Sequence, residues 1–173
     1  MASYKTFDTE RLYLRPTLDE DAEFILELVN SPKFIQYVGD RSIHSVGSAR
    51  KYIRDKMLPQ LEKLGFANYT VIRKKDQQKI GTCGLYNREG IEGFDIGFAF
   101  LPDFEKLGYG FEAASKIMKV GFNDFGIAKI KAYTTKNNLD SQKLLLKLGF
   151  KNKGTIKLPN DPVELLEFQI ENK

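Results

Sequence analysis

Phe98-Ala99-Phe100-Leu101-Pro102-Asp103-Phe104-Glu105-Lys106-Leu107-Gly108-Tyr109-Gly110-Phe111-Glu112-Ala113 is the stretch on which the reading of this chain turns. Phe94, Ile96, Phe98 and Phe100 alternate with Asp95, Gly97, Ala99 and Leu101, the period of two that gives a strand one apolar face. Past Gly110, the residues Ala113, Ala114, Ile117, Met118 and Phe122 recur at helical spacing to about Asp124. A strand therefore ends, a loop follows, and two glycines open a helix. The backbone N–H groups of such a loop point outward into the same space that the positive end of the helix faces, and glycine puts no Cβ between main chain and ligand. The segment suits a phosphate or diphosphate.

Working outward, Arg11 to Arg15 alternates as a short strand, and Thr17 with Glu20 has the spacing of a capping box. Ala22, Ile25, Leu28 and Val29 share a helical face that ends near Asn30-Ser31-Pro32. A second helix is predicted from about Ser45 to Leu64, kinked or divided by Pro59. Strands follow around Tyr69 and Val71 and from Ile80 to Tyr86, so the central strand closes a three-strand meander. Downstream lie a strand over Lys129–Thr135, a helix over Ser141–Leu148 stopped by Gly149, and a strand over Glu164–Ile170. This mixture predicts an α/β fold with a mixed, mostly antiparallel central sheet flanked by helices. Residues 1–173 read as a single domain, with no linker or repeat.

Composition removes several function classes. One cysteine, Cys83, and one histidine, His44, provide neither an internal disulfide nor a Cys/His metal site, so no metal is expected. The 27 Lys+Arg against 23 Asp+Glu are spread along the chain, and no specific nucleic-acid binding is expected without a basic stripe. With no long apolar run and no secretory leader, the expectation is no membrane association and a cytoplasmic location. Cys83 sits within a strand as a core residue, and His44 precedes a helix as a loop or rim residue.

Three anion-binding patterns compete for the glycine loop. A P-loop fails, because no Gly-Lys-Ser/Thr follows. Gly108, Gly110 and Ala113 satisfy a dinucleotide fingerprint. Pro102 to Leu107 nevertheless intervene after the strand, and the next strand ends in Thr134-Thr135 rather than in an acid for a ribose. The third pattern is acyl-coenzyme A binding. Glu105-Lys106-Leu107-Gly108-Tyr109-Gly110 resembles the Gln/Arg-x-x-Gly-x-Gly/Ala signature of the GNAT N-acetyltransferases. Within that family, Gly108-Tyr109-Gly110-Phe111-Glu112-Ala113 is most similar to the RimJ/RimL type. Thr9-Glu10-Arg11-Leu12-Tyr13-Leu14-Arg15-Pro16 resembles that group's first strand. Asn138-Leu139-Asp140-Ser141 with Leu146-Lys147-Leu148-Gly149-Phe150 resembles its last motif.

The resemblance implies the GNAT fold and transfer of an acetyl group from acetyl-CoA to a primary amine, either a protein N-terminus or a small amine. It implies that backbone groups of Glu105, Lys106, Leu107, Gly108, Tyr109 and Gly110 hold the diphosphate. It also implies that main-chain groups of Phe98 and Phe100 hold the pantetheine arm and thioester carbonyl, and that Asn138 bonds the cofactor. Two catalytic candidates follow. Ser141 would protonate or hydrogen-bond the departing thiolate, or else simply cap its helix. Asp95 is a candidate base acting through water, or an ion-paired strand residue. A homodimer is implied by resemblance alone. Glu105 departs from the usual Gln or Arg, and Leu145 stands where many members carry a tyrosine acid. These departures leave a non-catalytic acyl-CoA-binding module on the same fold as the alternative.

Overall fold

The computed structural model describes residues 3–173. Its strands are β1 (Phe7–Asp8), β2 (Leu12–Pro16), β3 (Asn68–Arg73), β4 (Gln78–Tyr86), β5 (Phe94–Phe100), β6 (Lys129–Thr135), β7 (Lys151–Lys157) and β8 (Glu164–Glu171). Its helices are α1 (Ala22–Val29), α2 (Pro32–Tyr37), α3 (Val46–Lys56), α4 (Leu58–Leu64), α5 (Tyr109–Asn123) and α6 (Leu139–Lys147). One eight-stranded sheet runs in the order β1-β2-β3-β4-β5-β6-β8-β7. Every neighbouring pair is antiparallel except β5 and β6, so the expected mixed, mostly antiparallel sheet is the observed one.

The alternation read in β5 decides which face each helix covers. Ile96 turns to the side where Leu12, Leu14, Val71, Ile80, Cys83 and Leu85 meet Ala113, Ala114 and Ile117 of α5. A Cβ on Gly121 would stand 3.0 Å from Leu85 Cδ1, so glycine there lets α5 lie close to the sheet. Across the sheet, Ile25, Leu28, Ala49 and Ile53 of α1 and α3 form a second core with Leu101. Cys83 is fully buried, as a core residue should be.

Several expectations need correction. Thr17 and Glu20 do not make a capping box. The Thr17 hydroxyl is buried against Thr70 Oγ1 at 2.9 Å and accepts from Asn68 Nδ2 at 2.8 Å, while Asp21 Oδ2 accepts from the Leu18 N–H. The helix expected over Ser45–Leu64 divides at Met57, upstream of Pro59, because proline at the start of α4 needs no N–H donor. Helix α2 and strands β1 and β7 were not predicted. The last is polar on both faces, with Lys151, Lys153 and Lys157 exposed along the sheet edge.

Candidate active site

Strands β5 and β6 separate. They pair only at Phe94 with Ile130 and Asp95 with Lys131, yet run on to Phe100 and Thr135. Beyond Asp95 the sheet is open between two interior strands. The Leu101 N–H donates to Ile80 O at 2.9 Å, toward β4. Alternation along the strand therefore turns the N–H and C=O of Phe98 and Phe100 away from β4 and into the gap. On β6, across the gap, the hydroxyls of Tyr133, Thr134 and Thr135 are buried with no partner among the described residues, although alternation sends them to both faces of the sheet and none lines the cleft. The main-chain groups of Phe98 and Phe100, with no strand partner on that side, mark a place for a polar, extended ligand.

The gap opens into a cleft of about 350 Å³. Its lining includes Phe98, Phe100, Glu105, Lys106, Gly108, Gly110, Asn138 and Ser141, which the sequence nominated. Leu107 and Tyr109 do not line it: Leu107 is exposed, and Tyr109 is buried in the core beneath the guanidinium of Arg11. Only their main chain can face a ligand. Gly108 has φ +85° and is the N-cap of α5, a conformation that favours glycine, and Lys106 has φ +61°. The loop is braced from behind. Arg11 Nη1 donates to Leu107 O at 2.9 Å, and Glu112 accepts from the Arg11 N–H at 2.9 Å and Nε at 2.7 Å and from the Thr9 hydroxyl at 2.5 Å. Burial pushes the Glu112 carboxyl up, but these hydrogen bonds outweigh it and hold the group below its ordinary value.

Asn138, not Ser141, caps α6: its Oδ1 accepts from the Ser141 N–H at 3.3 Å. Ser141 stands in the first turn of α6 and lines the cleft. Asp95 is outside the cleft lining. Its side chain is 5% exposed, and both carboxylate oxygens accept from Arg88, at 2.8 and 3.0 Å. Burial raises its pKa, and the guanidinium offsets this only in part. Register puts Asp95 on the same sheet face as Lys131 and Tyr133, the face opposite α5. Burial likewise pushes the Tyr133 phenol up to about 12. Leu145 is buried, so nothing at that position can donate a proton to the cleft. His44 is exposed and lies away from the cleft.

Sequence reasoning missed part of the wall. Phe34, Tyr37 and Val38 from α2 and its C-terminal end face the cleft, and Lys33 reaches across it to Glu105 Oε2 at 2.5 Å. The sequence did carry one signal for α2: Ser31 followed by Pro32, an N-cap with proline in the first turn.

Residues 11–151 match the family model described as an acetyltransferase (GNAT) domain. The chain is 28% identical over 155 residues to the uncharacterized N-acetyltransferase YoaA of Bacillus subtilis, covering 89% of this chain and 87% of that protein. Its fold is similar to that of ribosomal-protein-S5-alanine acetyltransferase from Vibrio fischeri, with TM-score 0.81, 19% identity, and 98% and 97% of the two chains covered. It is also similar to the ribosomal L7/L12 acetyltransferase RimL solved with coenzyme A, with TM-score 0.82, 16% identity, and 96% and 98% covered. An open parallel strand pair, a glycine loop at a helix start and a sequence match over most of the chain agree, and the protein belongs to the GNAT acetyltransferase family.

Proposed function

We propose that the protein transfers an acetyl group from acetyl-CoA to a primary amine, a protein N-terminus or a small amine, as a member of the RimJ/RimL-like branch. One observation carries this reading. The main-chain groups of Phe98 and Phe100 face a gap that joins a cleft ending at the loop Glu105–Gly110. The cleft fits the donor. Its apolar middle, formed by Phe98, Phe100 and Leu144, suits a pantetheine arm, and the N–H groups at the start of α5 suit a diphosphate. Asn138, at the mouth beside them, is assigned to the same ligand.

The donor supplies an activated acyl group; the protein supplies orientation and proton handling. Amides at Phe98 and Phe100 are placed to stabilise negative charge developing on the acyl oxygen, fixed dipoles that need no reorganisation during the reaction. The Ser141 hydroxyl donates to the leaving sulfur. An α-amino group, with a pKa near ~8, is partly neutral at pH 7, whereas a lysine side chain near ~10.4 is not. A terminal amine therefore asks little of a base. Asp95 serves it only through water, because Arg88 occupies one acceptor direction of each carboxylate oxygen. Its raised pKa makes it a stronger base than an ordinary carboxylate.

A thiol-release assay with acetyl-CoA and a panel of N-terminal peptides and small amines tests the proposal. Turnover on at least one acceptor is expected. The second reading, a binding module without turnover, is favoured by the buried Leu145 and by Glu105 in the loop. Tight acetyl-CoA binding with no product from any acceptor would establish that reading instead.

A further inference from the structure

We propose that Lys33 is a donor-binding residue: the acceptor-side helix α2 carries it to the loop, where it pairs with the diphosphate, and Glu105 holds it in the cleft until the donor arrives. The inference rests on the reading of acetyl-CoA as donor. Lys33 Nζ stands 2.5 Å from Glu105 Oε2 and 3.7 Å from Asp140 Oδ2, and all three residues line the cleft. They come from three separate elements: the first turn of α2, the glycine loop and the first turn of α6. The ammonium thus bridges the two rims of the cleft, beside the amides assigned to the diphosphate.

Charge explains why a cation is useful there. A carboxylate at the start of the loop opposes a dianion at the same place; of the other lysines lining the cleft, Lys106 is exposed and Lys147 lies over the Phe111 ring, 4.4 Å from its centroid, so Lys33 is the one paired with Glu105. Lys33 removes that conflict twice over. In the free protein it neutralises Glu105, and when the donor enters it has a doubly charged partner in place of a singly charged one. The exchange asks only for side-chain rotation. Lysine has a flexible stem and a point charge with three donors, and the Lys33 side chain is 45% exposed. Glu105 then turns to solvent. Because Lys33 is in the same short helix as Phe34 and Tyr37, donor binding also fixes the wall that faces the acyl group.

The test uses calorimetry of acetyl-CoA on the full chain, its Lys33→Gln, Lys33→Arg and Glu105→Gln variants, and the Lys33→Gln/Glu105→Gln double variant. It adds kcat/KM with acetyl-CoA and with S-acetylpantetheine, which has no diphosphate. Lys33→Gln is expected to weaken acetyl-CoA binding about tenfold, the scale of one charge-assisted hydrogen bond, and Lys33→Arg to recover most of it. Glu105→Gln should tighten binding, and Lys33→Gln should still weaken it in that background. The use of S-acetylpantetheine should not change with Lys33→Gln. The proposal is overturned if Lys33→Gln alters affinity less than about twofold, if its effect vanishes once Glu105 is neutral, or if both donors suffer alike. Absence of binding to the unaltered protein would overturn the donor reading itself, and it would be seen before any variant is made.

Discussion

Glu112, in the first turn of α5, accepts both the backbone N–H and the Nε of Arg11, at 2.9 and 2.7 Å, across 101 residues of chain. This pair fixes the glycine loop to the start of β2, because the same guanidinium also holds Leu107 O. The carboxyl lies below its ordinary value, so its stabilising contribution is present above the unfolded pKa and is lost as pH falls through the folded one. Glu112→Gln is expected to cost about 1–3 kcal/mol by denaturant titration near neutrality, with a smaller loss in acid. It should also raise KM for acetyl-CoA more than it lowers kcat.

Asp21 is fully buried between Arg15 and Lys79, each with a nitrogen 2.8 Å away. Burial opposes its charge, but the two cations and the Leu18 N–H prevail and the pKa is lowered. Stability from this group is therefore complete above the unfolded carboxylate value and disappears as pH drops through the lower folded one. Asp21→Asn should destabilise the protein by about 3 kcal/mol at pH 7 by leaving two cations short of a partner, and should flatten the acid limb of the Tm profile.

The helix cap, one of two alternative readings of Ser141, belongs to Asn138. Ser141→Ala should leave Tm nearly unchanged, because the cap belongs to Asn138, while kcat falls by about 100-fold if the hydroxyl donates to the leaving sulfur. Asn138→Ala should cost about 1 kcal/mol in stability and weaken donor binding. A Ser141→Ala variant with unchanged kcat would remove it from the chemistry.

Asp95 predicts a pH dependence of definite sign. A base must be unprotonated, so kcat/KM should show a limb rising with pH above the ordinary carboxylate range, separate from the limb near ~8 that belongs to the acceptor amine itself. Asp95→Asn should abolish the first limb. If the limb persists while only Tm falls, the residue serves its ion pair with Arg88 and nothing more.

Much of this was legible in the chain. The alternation of Phe94 to Phe100 and the helical period after Gly110 gave the strand, the loop and α5 in order, because each element buries one regular face. What escaped notice lacked such a face. Helix α2 is short with no fully buried residue, and β7 is polar on both sides because it sits at a sheet edge. Thr17 had the spacing of a cap but joined a buried network with Thr70 and Asn68, partners about fifty residues away that no local pattern reveals. Lys33 escaped for the same reason: it meets Glu105 across 72 residues.

The divergence of β5 from β6 gives the molecule a built-in isotopic reporter. Amides of Phe98 and Phe100 sit in the middle of an eight-stranded sheet, yet nothing in the ladder shields their hydrogens. They should trade protons with deuterated water far faster than those of Gly97 and Ala99 on the same strand, and slow sharply when an occupant enters.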